Sequence, residues 1–327
     1  MRLVSKVVNK VLSYLKCEDN ECRLKSEEHL KRFISYSFTG NKCIDERQYC
    51  SVITRWYHTI EKGLAYVNFR KGFGQKNIEA LITSMENYLS DGFSVDGFTY
   101  RTGLSVLEAY KEKNIKYGYH NEQLYSRIDC LPGISNNLGG IIEFTPPSVN
   151  ELKEMNYSEF VKSRHSMRHF SNEPVDMEAL KRAIELAQFT PSACNRQAWR
   201  TVVVCNKPLI SNILGNQNGN EGFGHEFDKL LLVISDNRCF NRDRELFQVY
   251  IDGGMYVQSI LYALHYEGIA SVPLSAALRR EQEKNIRELL RINDAEELIL
   301  FIGIGNYPNK CQSTKSTRYD ANIRYYT

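Results

Sequence analysis

The sequence predicts an α+β fold for the C-terminal part of the chain and a mainly helical N-terminal part. Apolar and β-branched runs typical of buried strands occur at residues 201–205, 230–234 and 297–305. Before the first of these runs, residues 177–189 place their apolar side chains on one face of a helix. The chain has no proline before Pro132, and apolar residues there recur at helical spacing, as in Ile78, Leu81, Ile82, Met85, Tyr88 and Leu89.

Composition narrows the class of protein. The chain has 327 residues, 42% hydrophobic and 25% charged, which suits one large domain or two smaller ones. Its net charge of +3 is too small to indicate nucleic-acid binding. Nine cysteines show no framework spacing and no nearby histidine completes a zinc-like set. We therefore expect a cytoplasmic protein with reduced thiols and no metal site.

Residues 1–16 have the pattern of an amphipathic helix, with an apolar stripe of leucines and valines and lysines off that stripe. Two interpretations stay open. The helix packs on its own domain, or its basic face rests on an anionic membrane surface. It is not a signal peptide, because lysines interrupt the apolar segment and no small-residue cleavage site follows.

Turn signals place a domain boundary near the middle of the chain. Residues 131–150 contain Pro132-Gly133, Asn136-Asn137, Gly139-Gly140 and Pro146-Pro147. The predicted organisation is a helical N-terminal domain at 1–130, a linker at 131–150 and an α+β domain at 151–327.

The first candidate site residues alternate along one short segment. Arg164, Ser166 and Arg168 share one face of an extended backbone, so two guanidinium groups and one hydroxyl can converge on one anion. Guanidinium forks suit phosphate oxygens because they offer paired, planar donors. Surface ion pairing is the alternative role for the two arginines.

A second motif follows the helix at 177–189. Pro191 begins a turn in which Ser192 and Ala193 are small enough for a flat ligand to approach, while Asn195 and Gln197 supply amide donors and acceptors. A phosphate-binding segment about 25 residues before such an amide-rich turn suits a flavin mononucleotide better than free phosphate.

Together, Arg164-His-Ser-Met-Arg168 and Pro191-Ser-Ala-Cys-Asn-Arg-Gln-Ala-Trp199 resemble the nitroreductase family of FMN-dependent oxidoreductases. The resemblance runs from about residue 157 to the C-terminus. It implies a mixed sheet flanked by helices and a homodimer with one FMN per subunit at the interface. It also implies NADH or NADPH as a transient co-substrate.

The resemblance extends the set of flavin-binding residues. The family segment similar to residues 268–276 places a backbone amide against the reactive edge of the flavin, although this chain has Ser275-Ala276 where the family often has Glu-Gly. Lys315 and Arg318 match the residues that return to the FMN phosphate. The implied cofactor-binding set is Arg164, His165, Ser166, Arg168, Pro191, Ser192, Ala193, Asn195, Gln197, Pro273, Leu274, Ser275, Lys315 and Arg318.

Upstream, the segment His58-x-x-Glu61-Lys62-Gly63-Leu64 looks like the N-terminal extension of family members linked to bacterial cell-surface polysaccharide synthesis. It is either a capped helix end or a segment that reaches the flavin pocket. Farther along, Gly253-Gly254 interrupt a predicted helix at 245–266. That pair either packs within one subunit or lies in the dimer interface that the resemblance implies.

These features predict an oxidoreductase that transfers hydride from NAD(P)H through bound flavin to an organic acceptor. The flavin does this chemistry itself, so no catalytic side chain is named. No Gly-x-Gly-x-x-Gly follows a strand, which argues against tightly held NAD. Two alternatives remain: flavin-dependent dehydrogenation of a biosynthetic intermediate, and a non-catalytic flavin-binding scaffold for polysaccharide assembly.

Overall fold

The computed structural model describes residues 22–37, 43 and 45–326, and the helix predicted at residues 1–16 lies outside them. The chain forms two compact units that do not follow its order. The first, here the sheet unit, comprises the described parts of residues 1–37 together with 147–166 and 170–308. The second, here the helical unit, comprises the described parts of 38–146, 167–169 and 309–327.

The sheet unit is built on four antiparallel strands. These are β2 (Trp199–Val204), β3 (Lys229–Asp236), β4 (Ile269–Ser275) and β5 (Glu296–Asn306), in the order β2-β3-β5-β4. Parallel pairing in the described chain is limited to an isolated bridge between Ser166 and Ser271 on β4. The predicted α+β class is therefore confirmed, and the paired strands are antiparallel.

The sheet unit also contains helices, which occur before, between and after the two sequence motifs along the chain. Residues 22–36 are helical (α1), and the others are α6 (Val149–Glu154), α7 (Tyr157–Ser163), α8 (Met177–Ala187), α9 (Lys207–Asn216), α10 (Gln248–Tyr266) and α11 (Arg280–Leu290). Helix α8 begins at Met177 because the Asp176 carboxylate accepts from the next backbone amides, including Ala179 N at 3.2 Å.

The core of the sheet unit lies between the sheet and helices α8 and α10. The central strand β3 is buried along nearly its whole length, as its continuous apolar sequence predicts. Trp199 stacks on Tyr256 of α10 with ring centroids 4.8 Å apart. Gly253 of α10 packs against Ile299, where an added Cβ would lie 2.7 Å from the side chain. Gly254 beside it faces open space.

The helical unit contains α2 (Glu46–Leu64), α3 (Gln75–Ser90), α4 (Phe98–Lys116) and α5 (Glu122–Asp129), with a two-stranded sheet of β1 (Ile141–Phe144) and β6 (Cys311–Thr314). The helix predicted from the stripe at residues 78–89 is α3, and the apolar residues of that stripe are buried except Leu89, which is half-buried. Strand β1 lies inside the segment predicted as a linker. The domain limits proposed from sequence stay a prediction.

Within the described residues, no helix is both long enough and apolar enough to cross a membrane.

Candidate functional site

The turn before β2 has an unusual backbone. Cys194, Asn195 and Gln197 adopt positive φ angles of 53°, 56° and 49°. Such left-handed conformations are costly for residues other than glycine, and they persist where the surroundings fix them. The Ser192 hydroxyl accepts a hydrogen bond from the Gln197 amide at 3.0 Å. Pro191, Asn195 and Gln197 are exposed. The predicted amide side chains therefore face outward from a tightly wound turn.

A buried carboxylate on α10 holds this turn. Asp252 is 1% exposed, and its Oδ2 accepts from the Ala193 amide at 3.1 Å while Oδ1 accepts from Gln248 Nε2 at 2.7 Å. Arg196 forms a two-point ion pair with Glu245, at 3.0 and 2.6 Å. That guanidinium lowers the pKa of Glu245 to about 2. Sequence analysis missed Asp252, although an acidic residue within an apolar helix was a usable signal.

The end of β4 lies at the same end of the sheet as the turn. Trp199, which begins β2, pairs with Ser235 near the end of β3. Ser235 pairs in turn with Glu297 near the start of β5. Ser275, which ends β4, pairs with Leu300 three residues farther along β5. The topology thus directs two predicted flavin-binding segments, 191–197 and Pro273–Ser275, toward the same end of one sheet, at its two opposite edge strands.

At the end of β4, Leu274 is buried and Ser275 is exposed. The Ser275 carbonyl accepts a hydrogen bond from Gln217 Nε2 at 3.0 Å, and its hydroxyl accepts from the Ala277 amide at 3.0 Å. The strand end is therefore fixed by the loop after α9. Gln217 is a positioning residue that sequence analysis did not single out.

The first phosphate motif begins where α7 ends. Arg164 is the C-cap of α7 in extended conformation, and Arg164, His165 and Ser166 are all half-buried. Ser166 forms the isolated parallel bridge with Ser271 on β4. The structure therefore places the start of this motif against the outer edge of β4, as an extended segment.

His265 of α10 anchors the start of that motif. Ser163 Oγ donates to the Phe160 carbonyl at 2.9 Å and lies 2.8 Å from His265 Nε2. Because a serine hydroxyl has one hydrogen, Nε2 is the donor in the second bond. Nδ1 then accepts from the Tyr307 hydroxyl at 3.1 Å. The ring is neutral and 1% exposed, and burial with the charge of Arg164 lowers its pKa to about 4.

The second arginine of the motif belongs to the helical unit. Arg168 is 8% exposed, and burial lowers its pKa while the charges of Tyr66 and Glu61 raise it. Burial also lowers the pKa of Lys62, and the charge of Arg168 lowers it further. The segment singled out in the N-terminal part therefore belongs to the same unit as a predicted phosphate ligand.

Glu61 ties these residues to the C-terminal tail. Its Oε2 lies 3.2 Å from His58 Nδ1, and its Oε1 accepts from the Gly140 amide at 3.0 Å. The Gly140 carbonyl in turn accepts from the Lys315 amide at 3.0 Å, and Lys315 Nζ donates to the Asn137 carbonyl at 2.7 Å. Lys315 is thus held in the same hydrogen-bond chain as Glu61.

Arg318 is exposed, and its guanidinium donates to the Ser316 carbonyl two residues earlier. Of the predicted phosphate ligands, the sheet unit holds Arg164 and Ser166, and the helical unit holds Arg168, Lys315 and Arg318. No cluster of metal-ligating side chains was found in the part of the chain that the structure describes.

The helical unit also has a cleft of about 360 Å³ between α4 and the β1–β6 sheet. Its walls include Leu64, Lys113, Tyr117 and Glu143. Lys113 Nζ donates a hydrogen bond to the Leu64 carbonyl at 2.8 Å, which joins two of the residues that line the cleft. None of the predicted cofactor-binding residues lines this cleft.

Known proteins are similar to this chain over part of its length. Residues 161–219 match the family model described as the nitroreductase family. The matched segment contains both the 164–168 motif and the turn at 191–197. The nitroreductase assignment is supported by this match.

Two relatives agree with that assignment over part of the chain. A Streptococcus pyogenes protein provisionally named an NAD(P)H nitroreductase is 47% identical over 53 residues, 16% of this chain and 26% of that protein. An Archaeoglobus fulgidus protein provisionally named an NADH dehydrogenase/NAD(P)H nitroreductase is 28% identical over 155 residues, 45% of this chain and 83% of its own. The chain thus spans about a quarter of the first relative's length.

Solved structures of the same class are also similar to this chain. An FMN-dependent nitroreductase from Clostridium difficile R20291 is 21% identical, with a TM-score of 0.41 over 51% of this chain and 90% of its own. A nitroreductase family protein from Clostridium novyi NT is 19% identical, with a TM-score of 0.42 over 47% and 87% of the two chains.

Proposed function

We propose that the protein is an FMN-dependent oxidoreductase that transfers hydride from NADH or NADPH to an organic acceptor. The observation that carries this proposal is the position of two motifs in one family match, with the 191–197 turn and the end of β4 at the same end of the sheet. Polysaccharide synthesis is the context that the His58–Leu64 segment suggests for the acceptor.

The chemistry of the donor set fits FMN. Arg164, Ser166, Arg168 and Lys315 offer cationic and hydroxyl donors of the kind that bind phosphate oxygens. Asn195 and Gln197 offer exposed amide groups for the polar edge of a flat ring. When bound, FMN supplies hydride transfer between the nicotinamide and the acceptor.

The protein's own contribution is position and electrostatics. Asp252 and the left-handed backbone fix the turn, so that the amide side chains keep one orientation. Gln217 fixes the end of β4, whose backbone is the proposed neighbour of the flavin. The neutral His265 anchors the segment that begins with Arg164 without adding a competing charge. Preorganised donors of this kind stabilise charge with little rearrangement.

An absorption spectrum of the purified full-length protein tests this function. The expected result is a visible flavin spectrum, with the cofactor released by heat identified as FMN by chromatography. Anaerobic mixing with NADH or NADPH should then bleach the spectrum. A parent protein that takes up no flavin when FMN is added in excess would contradict the proposal.

The same preparation separates the two alternative functions. Flavin that is retained but never bleached by either nicotinamide favours the non-catalytic scaffold. A product formed from a nucleotide sugar or lipid-linked sugar, without activity on nitroaromatic compounds, favours dehydrogenation of a biosynthetic intermediate.

We further propose that the functional protein is a homodimer. In the sheet unit, α10 and its N-cap residue Phe247 present an exposed side that also includes Ile251, Gly254 and Met255. The His29 ring of α1 lies 4.7 Å from the Phe247 ring, and α1 exposes further apolar side chains. An apolar surface of this kind suits a second copy of the chain. Gly254 leaves room for close approach because nothing lies within 4 Å of its Cβ position.

Light scattering of dilute protein should therefore report a dimer. Ile251→Glu, which places a charge in this surface, should shift the protein toward monomer while a change at the exposed Lys181 to Glu does not. A flavin-loaded parent that is monomeric at micromolar concentration would contradict the proposal.

A further inference from the structure

The cleft of the helical unit lies between faces of two elements, and all the residues that line it belong to that unit. One wall is a face of α4 formed by residues at helical spacing, namely Ala109, Glu112, Lys113 and Lys116. The other wall is a face of the β1–β6 sheet, where Ile141 and Glu143 alternate along β1 and Gln312 pairs with Glu143. The spacing within each element thus brings these side chains to one space.

Part of this lining is apolar and remains open to solvent. Leu64, Val67 and Tyr117 contribute apolar surface, and Val67 and Tyr117 are 53% and 45% exposed. The Tyr117 ring packs on Phe69, with ring centroids 4.9 Å apart. A cleft of about 360 Å³ has the size of a small-molecule site. A small apolar group placed there would remove this surface from water.

The rest of the lining carries both signs of charge. Two ammonium groups and two carboxylates line the cleft, those of Lys113, Lys116, Glu112 and Glu143. Their formal charges cancel, and among the described residues none of the four forms an ion pair. A ligand with one charge would meet a like charge as well as an opposite one. A zwitterion would find an opposite charge for each of its own.

Lys113 and Glu143 keep hydrogen-bonding capacity for such a ligand. Lys113 Nζ donates one hydrogen bond, to the Leu64 carbonyl at 2.8 Å, of the three that an ammonium can donate. Glu143 Oε1 accepts from Gln312 Nε2 at 3.2 Å, which leaves acceptor capacity on the carboxylate. Burial lowers the pKa of Lys113, and the charge of Glu143 acts against that shift. Charges interact more strongly at a partly buried ammonium than in bulk water.

We propose that this cleft binds a small zwitterion with an apolar side chain, of the class of the α-amino acids. The carboxylate of the ligand pairs with Lys113 and Lys116, its ammonium pairs with Glu143, and its side chain covers Val67 and Tyr117. The proposal does not rest on the proposed flavin function, since no predicted cofactor-binding residue lines the cleft. Binding is therefore expected whether or not flavin is present.

Calorimetry of the full-length protein with related ligands tests each charge of the ligand. L-phenylalanine carries both charges, L-phenylalaninamide lacks the carboxylate and 3-phenylpropionate lacks the ammonium. L-phenylalanine should have the lowest dissociation constant, by roughly fivefold or more, the size expected for one solvent-accessible ion pair. Glycine, which has both charges and no side chain, should bind roughly tenfold more weakly than L-phenylalanine because it covers no apolar surface.

Two variants locate this preference in the cleft. Glu143→Gln should raise the dissociation constant for L-phenylalanine by roughly fivefold, while that for 3-phenylpropionate stays unchanged or falls because this ligand has no ammonium. Lys116→Gln should weaken L-phenylalanine binding similarly and leave L-phenylalaninamide binding unchanged or tighter. The matched controls are Glu108→Gln, at an exposed carboxylate of α4 outside the cleft, and Lys76→Gln, at an exposed lysine of α3.

An equal loss for L-phenylalanine and 3-phenylpropionate in Glu143→Gln would show that Glu143 shapes the cleft without pairing with an ammonium, and would overturn the proposal. A parent protein that does not bind L-phenylalanine at millimolar concentration would also overturn it. Binding of glucose in place of L-phenylalanine, lost in Glu143→Gln, would assign the cleft to a neutral polyol and contradict the proposal as well. Flavin content enters none of these outcomes, so the oxidoreductase function is tested separately.

Discussion

The two units hold their candidate site residues by different means. In the sheet unit, a strained turn and the end of a strand are fixed by single buried groups, Asp252 and Gln217. In the helical unit, residues from three distant parts of the sequence meet around one buried carboxylate, Glu61. The first arrangement relies on backbone geometry and the second on charge compensation.

This difference predicts how each unit responds to mutation. Removing one member of a buried charge cluster leaves the opposite charge uncompensated, which is severe. Removing one hydrogen bond to a turn costs the smaller penalty of an unsatisfied donor. The comparison between the units can therefore be tested by the size of the change in the free energy of unfolding.

The largest effect is expected at Arg168. Arg168→Ala should lower the free energy of unfolding by roughly 3–5 kcal/mol, because Glu61 keeps its buried charge without the guanidinium. Arg164→Ala should cost less, and both variants should retain less FMN. Urea denaturation and the flavin content after purification measure these effects. The double variant Arg168→Leu with Glu61→Gln should recover part of the loss, and a double variant as unstable as Arg168→Ala would refute charge compensation.

The next effect is a pH dependence in the sheet unit. The pKa of His265 is about 4 in the folded protein and about 6.5 when unfolded. The unfolded chain therefore binds the proton first as pH falls. Stability is fully present above about pH 6.5 and is lost as pH decreases toward 4, by up to about 3 kcal/mol.

Denaturation of the parent and His265→Gln between pH 7 and pH 4 checks this contribution. The variant should show a smaller loss of stability with acid, whereas His225→Gln, at an exposed histidine, should behave as the parent does. Identical pH profiles for the parent and His265→Gln would show that the ring is not held neutral.

A moderate effect is expected at Asp252. Asp252→Ala leaves the Ala193 amide without its acceptor and should lower the free energy of unfolding by roughly 1–3 kcal/mol. Asp252→Asn keeps an oxygen that can accept this bond and should cost less. Chemical denaturation gives the stability, and hydrogen exchange at the Ala193 amide reports directly on the turn. Unchanged exchange in Asp252→Ala would mean that other contacts hold the turn.

The smallest effect is expected at Cys194, whose φ of 53° is unfavourable for a residue with a Cβ. Cys194→Gly should raise the free energy of unfolding by roughly 1 kcal/mol in the sheet unit. Cys130, with φ of −79° at the end of α5, is the control in the helical unit. Cys130→Gly should lower the free energy of unfolding by roughly 0.5–1 kcal/mol. Thermal melts should show a gain of stability for Cys194→Gly and a loss for Cys130→Gly. A loss of stability in both variants would contradict backbone strain at the turn.

Much of the sheet unit could be predicted because its signals are local. The apolar runs at 201–205, 230–234 and 297–305 correspond to β2, β3 and β5, since continuous apolar sequence is what a fully buried strand requires. Helix α8 was predicted with its N-terminus correct, and α10 begins three residues later than expected. The antiparallel pairing was not predicted, because strand direction depends on connections between distant segments.

The candidate site shows the same division. The alternation of Arg164, Ser166 and Arg168 and the small residues of the turn are readable along the chain. The contacts of Asp252, His265 and Gln217 are not, because each acts on residues that lie between 58 and 102 positions away in sequence.

The sequence by itself determined the fold class and the residue types that suit a flavin phosphate and ring. Periodicity and side-chain chemistry are local properties, and they survive without knowledge of contacts. Only the tertiary structure decided that Glu61 and Lys62 accompany Arg168 and that the Lys315 segment joins them through Gly140. Charges in low dielectric act according to distance and burial, and neither is fixed until the chain has folded.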